Sequence, residues 1–164
     1  MATEAGGSMQ QSEQRIQRLW ALLHTIDAFS YTSRPGPDSR SGWQGEGRGR
    51  VTCERISADE LHFVEQGQFS LHGGMTVDMQ NRYIWQKTTS GIRLSHGRRG
   101  EPVFLFELLP ADENQWQSAQ DHLCINDLYS GELVENSKGF TLQWRITGPK
   151  KDEHLFYQYS ADNL

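Results

Sequence analysis

Positions 122–131 read "HLCINDLYSG", which places His122, Cys124 and Asp127 within six residues. These residue types hold metal ions and build thiol nucleophiles. A zinc site takes four ligands in tetrahedral geometry, and a lone His-x-Cys supplies two of them. His62, His72 and His96 could complete such a set only through contacts made by the fold. A thiol nucleophile needs an imidazole within hydrogen-bond reach and a third group to orient it. On a strand, His122, Cys124 and Asn126 share one face and Leu123, Ile125 and Asp127 the other, because side chains alternate. Same-face neighbours then stand roughly 6.6 Å apart at Cα with nearly parallel side chains, so a direct His–Cys bond is strained. The simpler reading makes Cys124 a small buried apolar group and His122 a hydrogen-bonded donor, together a polar handle on a cavity wall. No metal and no cofactor is expected.

The elements that must carry these residues follow from periodicity. Residues 1–12 are small and polar and are expected to be disordered. In "SEQRIQRLWALLHTI" the apolar positions Ile16, Leu19, Trp20, Leu22, Leu23 and Ile26 recur at three- and four-residue spacing. This predicts one amphipathic helix over 13–27, with Ser12 as its N-cap. From Phe29 the period changes to two. Leu61, Phe63 and Glu65 alternate, Val51, Cys53 and Arg55 alternate, and Phe140, Leu142, Trp144 and Ile146 do so without a break. "HGRRG" at 96–100 reads as a hairpin turn, and "PADENQWQSAQ" as a polar insertion. Roughly eight or nine strands result, with turn signals every 8–12 residues and no βαβ alternation. A sheet that long removes its exposed edges by closing, so the expected fold is mainly β: an antiparallel up-and-down barrel over 28–160, in one domain spanning 13–164.

Composition narrows the function. The net charge of −5 argues against nucleic acid and anionic membrane as partners, since phosphate binding needs clustered Lys and Arg. No apolar run approaches the length of a membrane span, and the first residues lack a secretory pattern, so a cytoplasmic protein is expected. Cys53 and Cys124 are then expected as free thiols. Seven Phe, five Tyr and five Trp concentrate apolar area in few side chains, enough for a core in a polar chain.

The order His122-x-Cys124-x-x-Asp127-x-Tyr129-x-Gly131 is followed by Trp144-x-Ile146-x-Gly148-Pro149-Lys150-Lys151-Asp152. It resembles that of an uncharacterised bacterial and fungal family of small domains of unknown function. Those domains look like calycins, the superfamily of lipocalins and fatty-acid-binding proteins. The resemblance implies a calycin-like barrel and no particular activity.

The expected function is binding of one small, partly apolar molecule inside the barrel. The expected lining is His122, Cys124, Tyr83, Trp85, Trp144, Arg55 and Tyr129. Arg55 shares parity with Val51 and Cys53 and is the candidate internal anchor for a carboxylate, whereas Arg145 should point outward. Tyr129 and Gly131 read as corner elements, Gly148 and Pro149 as a turn, and Asp127, Lys151 and Asp152 as its polar trim. Two other classes compete: an interaction module with a filled barrel, binding a protein through the helix or "RPGPDSRSGW", and a His122/Cys124 enzyme. A homodimer through an unpaired hairpin edge is a further expectation.

Overall fold

In a computed structural model, residues 2–36, 44–119, 122–124, 127–149 and 151–162 are described, the side chains of 2–9 and 122–124 excepted. Helix α1 (Ala2–Leu23) precedes eleven described strands. They are β1 (Ala28–Pro35), β2 (Gly45–Arg55), β3 (Glu60–Leu71), β4 (Thr76–Lys87), β5 (Ile92–Arg98) and β6 (Glu101–Pro110). Then come β7 (Gln115–Ser118), β8 (His122–Cys124), β9 (Asp127–Glu135), β10 (Gly139–Thr147) and β11 (Asp152–Ser160).

The strands pair antiparallel in chain order, and β1 pairs with β11 from Ala28 opposite Ser160 to Pro35 opposite Glu153. That last ladder closes the wall into an up-and-down barrel. Strands β7 and β8 lie end to end along one edge of β9, with Gln115–Gln117 opposite Val134–Glu132 and His122–Cys124 opposite Tyr129–Asp127. They fill one place together, so the wall has ten places rather than eight or nine. The place missed by the sequence reading is β7, which lies in the polar run "PADENQWQSAQ" and sends only Trp116 fully into the core. One buried side chain in four residues is too short a pattern to announce a strand.

The helix also departs from expectation. It spans Ala2–Leu23, so its backbone takes in the segment expected to be disordered, and Ser12 lies within it rather than capping it. It stops four residues short of the predicted end. The backbone turns through Thr25 N–H to Leu22 O and Ile26 N–H to Leu23 O, and Asp27 N–H already donates to Ser160 O on β11. Ile16, Leu19, Trp20 and Leu23 are buried, the stripe that the i, i+3, i+4, i+7 spacing demands. Together with Ile26 they pack across the barrel end formed by the 56–59, 88–91, 111–114 and 136–138 turns. Arg18 fastens the helix there, donating to Glu135 on β9 at 3.2 Å and to the Glu113 carbonyl. Lys87 lies 5.6 Å from the centre of the Trp20 ring. Among the described residues, no helix is long and apolar enough to cross a membrane.

Glycines shape two places in the wall. At the β5–β6 turn Arg99 and Gly100 both have positive φ, 52° and 80°, the two-residue hairpin geometry that matches strand twist. On the inner face of β2, a Cβ at Gly47 would stand 2.3 Å from the Tyr31 ring, so the missing side chain is what lets that ring occupy the interior.

Candidate functional site

Register and burial together assign the inner face. Phe29, Tyr31 and Ser33 of β1 face Tyr159, Tyr157 and Leu155 of β11, which in turn face Phe140, Leu142 and Trp144 of β10. Across the barrel, Leu61, Phe63 and Glu65 of β3 oppose Trp85, Tyr83 and Asn81 of β4. At the helix end this interior is closed to solvent. Toward the other end the inward side chains Tyr31, Met79, Asn81, His96 and Leu155 are only half-buried. The barrel is thus plugged at one end, while at the other its inward side chains are partly exposed.

Glu65 sits in the middle of this interior with no exposed surface. Its Oε2 accepts a hydrogen bond from Tyr159 Oη at 2.5 Å, and its Oε1 has no partner. Burial pushes the carboxyl up to about 8, against the Tyr159 bond and the neighbouring Asn81 amide, which favour the ionised form. The Asn81 amide makes no bond of good geometry to Oε1. Around the acid, Tyr83 and Tyr157 share a hydrogen bond of 3.1 Å between their hydroxyls. Tyr31 stacks on Tyr157 at 4.9 Å, and Tyr157 on Tyr159 at 5.2 Å. Burial, reinforced by Glu65, raises the Tyr31 hydroxyl to about 12 and pushes Tyr159 well above its ordinary value. These phenols stay neutral donors and acceptors at any physiological pH. Two indole N–H groups, Nε1 of Trp85 and of Trp144, are buried without an acceptor.

Several expected residues meet here. Tyr83, Trp85, Tyr129 and Trp144 are buried and inward, with Tyr83 edge-on to Trp144 and Tyr129 stacked on it, each at 6.4 Å. Others are placed differently. Arg55 has the inward parity but lies at the last position of β2 and is exposed, because the wall ends there. Gly131 does not bend the chain. A Cβ there would stand 2.4 Å from the Phe106 ring, so the glycine seats that ring. His122 and Cys124 belong to β8, registered opposite Tyr129 and Asp127, and their side chains lie outside the described residues. Lys150 and Trp43 also lie outside them.

The turn motif is structural glue at the open end. Gly148 N–H donates to Lys151 O, Lys151 Nζ lies 3.7 Å from Asp127, and Arg145, pointing outward as expected, donates to Asp152 at 3.1 Å. Pro149 sits inside that turn. The histidines are scattered. His62 is on the outer face between Glu60 and Arg82, His72 is in an exposed turn, and His96 stacks on Tyr83 at 5.0 Å. Burial lowers His96 to about 4, and its Nδ1 accepts from Arg98 Nε, as a neutral ring must. Cys53 faces the helix end, its Sγ 3.3 Å from Ile26 O, and burial raises the thiol to about 11. It is a packed group rather than a nucleophile.

The wall also has a side cleft. β3 pairs with β4 from Glu60 to Ser70, whereas β4 pairs with β5 only from Tyr83 to Lys87. In the gap lies a cleft of about 310 Å³ lined by outward Val64, Gln80 and Arg82 and by inward Asn81 and His96. Asn81 is the cross-strand partner of Glu65, so the cleft borders the acid's neighbour.

Sequence reading reached the aromatic lining but not Glu65 as its polar centre. The signal was present, since Glu65 shares the inward parity of Leu61, Phe63 and Phe69.

Fold and site define a class: an up-and-down β-barrel, plugged by a helix, with an acid–tyrosine cluster in its interior. The chain belongs to the Family of unknown function (DUF6314), whose model matches residues 19–161, from the end of the helix through the last strand. No curated protein and no solved structure gives a significant match.

Proposed function

We propose that the barrel binds one small, partly apolar molecule, with its polar part against the Glu65–tyrosine cluster and its apolar part among the inward rings. The observation that carries this reading is the set of buried polar atoms without partners, Glu65 Oε1, Trp85 Nε1 and Trp144 Nε1. Each leaves about 1–3 kcal/mol of desolvation uncompensated, and buried polar groups in folded proteins are paired almost without exception. A ligand, or waters that a ligand displaces, supplies the missing partners. The half-buried inward side chains at the open end support access from there. His122 and Cys124, opposite Tyr129 and Asp127 on the same end of β9, are proposed as further lining.

Native mass spectrometry of protein isolated from its own cells tests the reading. A bound species of a few hundred daltons that dissociates on unfolding is expected, and Glu65→Leu should reduce its occupancy. Protein that arrives at its bare mass from every preparation, and whose tryptophan emission no small apolar compound changes, would leave the barrel without this role.

A further inference from the structure

The geometry points to an organic ammonium ion as the polar end of the ligand, its N–H bonded to the free Oε1 of Glu65 and its other N–H groups among the tyrosine hydroxyls. This rests on the barrel-binding reading above and specifies the chemistry of that site.

Three features carry it. First, buried carboxyl oxygens are ordinarily paired, whereas Glu65 is fully buried with Tyr159 on Oε2, and the neighbouring Asn81 amide makes no bond of good geometry to Oε1. Second, no Lys or Arg is among the buried described residues, and the two arginines at inward parity, Arg55 and Arg98, are exposed at strand ends. An anionic headgroup would therefore enter beside an acid with no buried cation among those residues to receive it. Third, Tyr31, Tyr83, Tyr157 and Tyr159 surround the acid as neutral phenols, whose hydroxyl oxygens can accept the further N–H bonds that an ammonium offers.

The groups facing Glu65 are Tyr31 from β1, Asn81 and Tyr83 from β4, and Tyr157 and Tyr159 from β11, with Val51 opposite on β2. The phenols stay neutral below pH 10, so among these facing groups Glu65 is the one that titrates in the working range. It holds a proton up to pH about 8 in the free protein. An ammonium ion pairs with the carboxylate, so binding at lower pH releases that proton to solvent.

The test uses three probes with one ring, 2-phenylethylamine, 2-phenylethanol and phenylacetate, titrated calorimetrically into the full chain. At pH 8 the amine should bind at least about tenfold tighter than the alcohol, with phenylacetate weakest. Amine affinity should fall about tenfold per pH unit below 8, with close to one proton released at pH 6 as read from buffers of different ionisation enthalpy. Glu65→Gln should erase the amine's advantage over the alcohol. Phenylacetate binding as tightly as the amine, or amine binding without proton release in the wild type, overturns the ammonium assignment whether or not the variant folds. Alcohol and acetate binding without the amine overturns it and leaves the barrel reading standing. If none of the three binds, both fall.

Discussion

At the residue scale, Glu65 couples the site to stability through pH. A glutamate in the unfolded chain ionises near 4.5, whereas in the fold it ionises near 8. Between those values the folded chain holds a proton that the unfolded chain has lost. The group's contribution is therefore full below about pH 4.5, declines as pH rises and is gone above about 8, a change on the order of a few kcal/mol. His96 acts in the opposite sense. Its value is depressed from 6.5 to about 4, so its contribution is present above 6.5 and is lost as pH falls toward 4. Urea unfolding of the unliganded protein should show midpoints that fall between pH 7 and 9, above the range in which His96 acts, and Glu65→Gln should flatten that fall. An unchanged slope in the variant would mean that the carboxyl is already ionised in the fold. Tyr159→Phe removes the donor to Oε2, which should cost about 1–3 kcal/mol and push the Glu65 carboxyl higher still.

At the element scale, the wall and its plug are held by packing rather than by surface charge. Leu19 has no exposed surface and sits at the centre of the helix stripe that seals one barrel end. Leu19→Ala should destabilise the protein by about 2–5 kcal/mol in denaturant titration, the range for truncating a buried leucine. The contact between β9 and β6 is equally tight. Gly131→Ala would press a methyl into the Phe106 ring, and a loss of about 1–3 kcal/mol is expected. Phe106→Leu in the same chain should recover part of it, and a double variant no better than the sum of the singles would show that the clash is not the cause. The exposed pair Arg82–Glu54, at 2.8 Å, should contribute little by comparison.

At the scale of the whole molecule, closure joins the two ends of the wall. β1 and β11 are the first and last strands, and their eight-residue ladder leaves neither with a free edge in the described barrel. A chain ending at Lys151 would uncover β1 and β10 together, two long edges with apolar inner faces. It should lose the single cooperative unfolding transition expected of the intact domain and should associate in solution, as scanning calorimetry and sedimentation would show. A truncated chain that stays monomeric and melts cooperatively would mean that the barrel does not depend on this ladder.

The period-two rhythm after Phe29 determined the antiparallel wall, and the stripe from Ile16 to Ile26 determined the helix that packs on it. Both are local patterns, written in the spacing of apolar residues along one stretch of chain. The same rhythm put Tyr83, Trp85 and Trp144 on the inner face. It could not tell that β7 was a strand, since four residues with one buried tryptophan carry no period. Parity also misplaced Arg55, because whether an inward residue is enclosed depends on where its strand ends relative to its neighbours. The partnering of Glu65 was decided only in three dimensions. Its hydrogen bond comes from Tyr159, 94 positions away, and its second oxygen is free because the Asn81 amide that β4 brings alongside does not reach bonding geometry. Alternation says which face a side chain takes, and only the closed barrel says what meets it on that face.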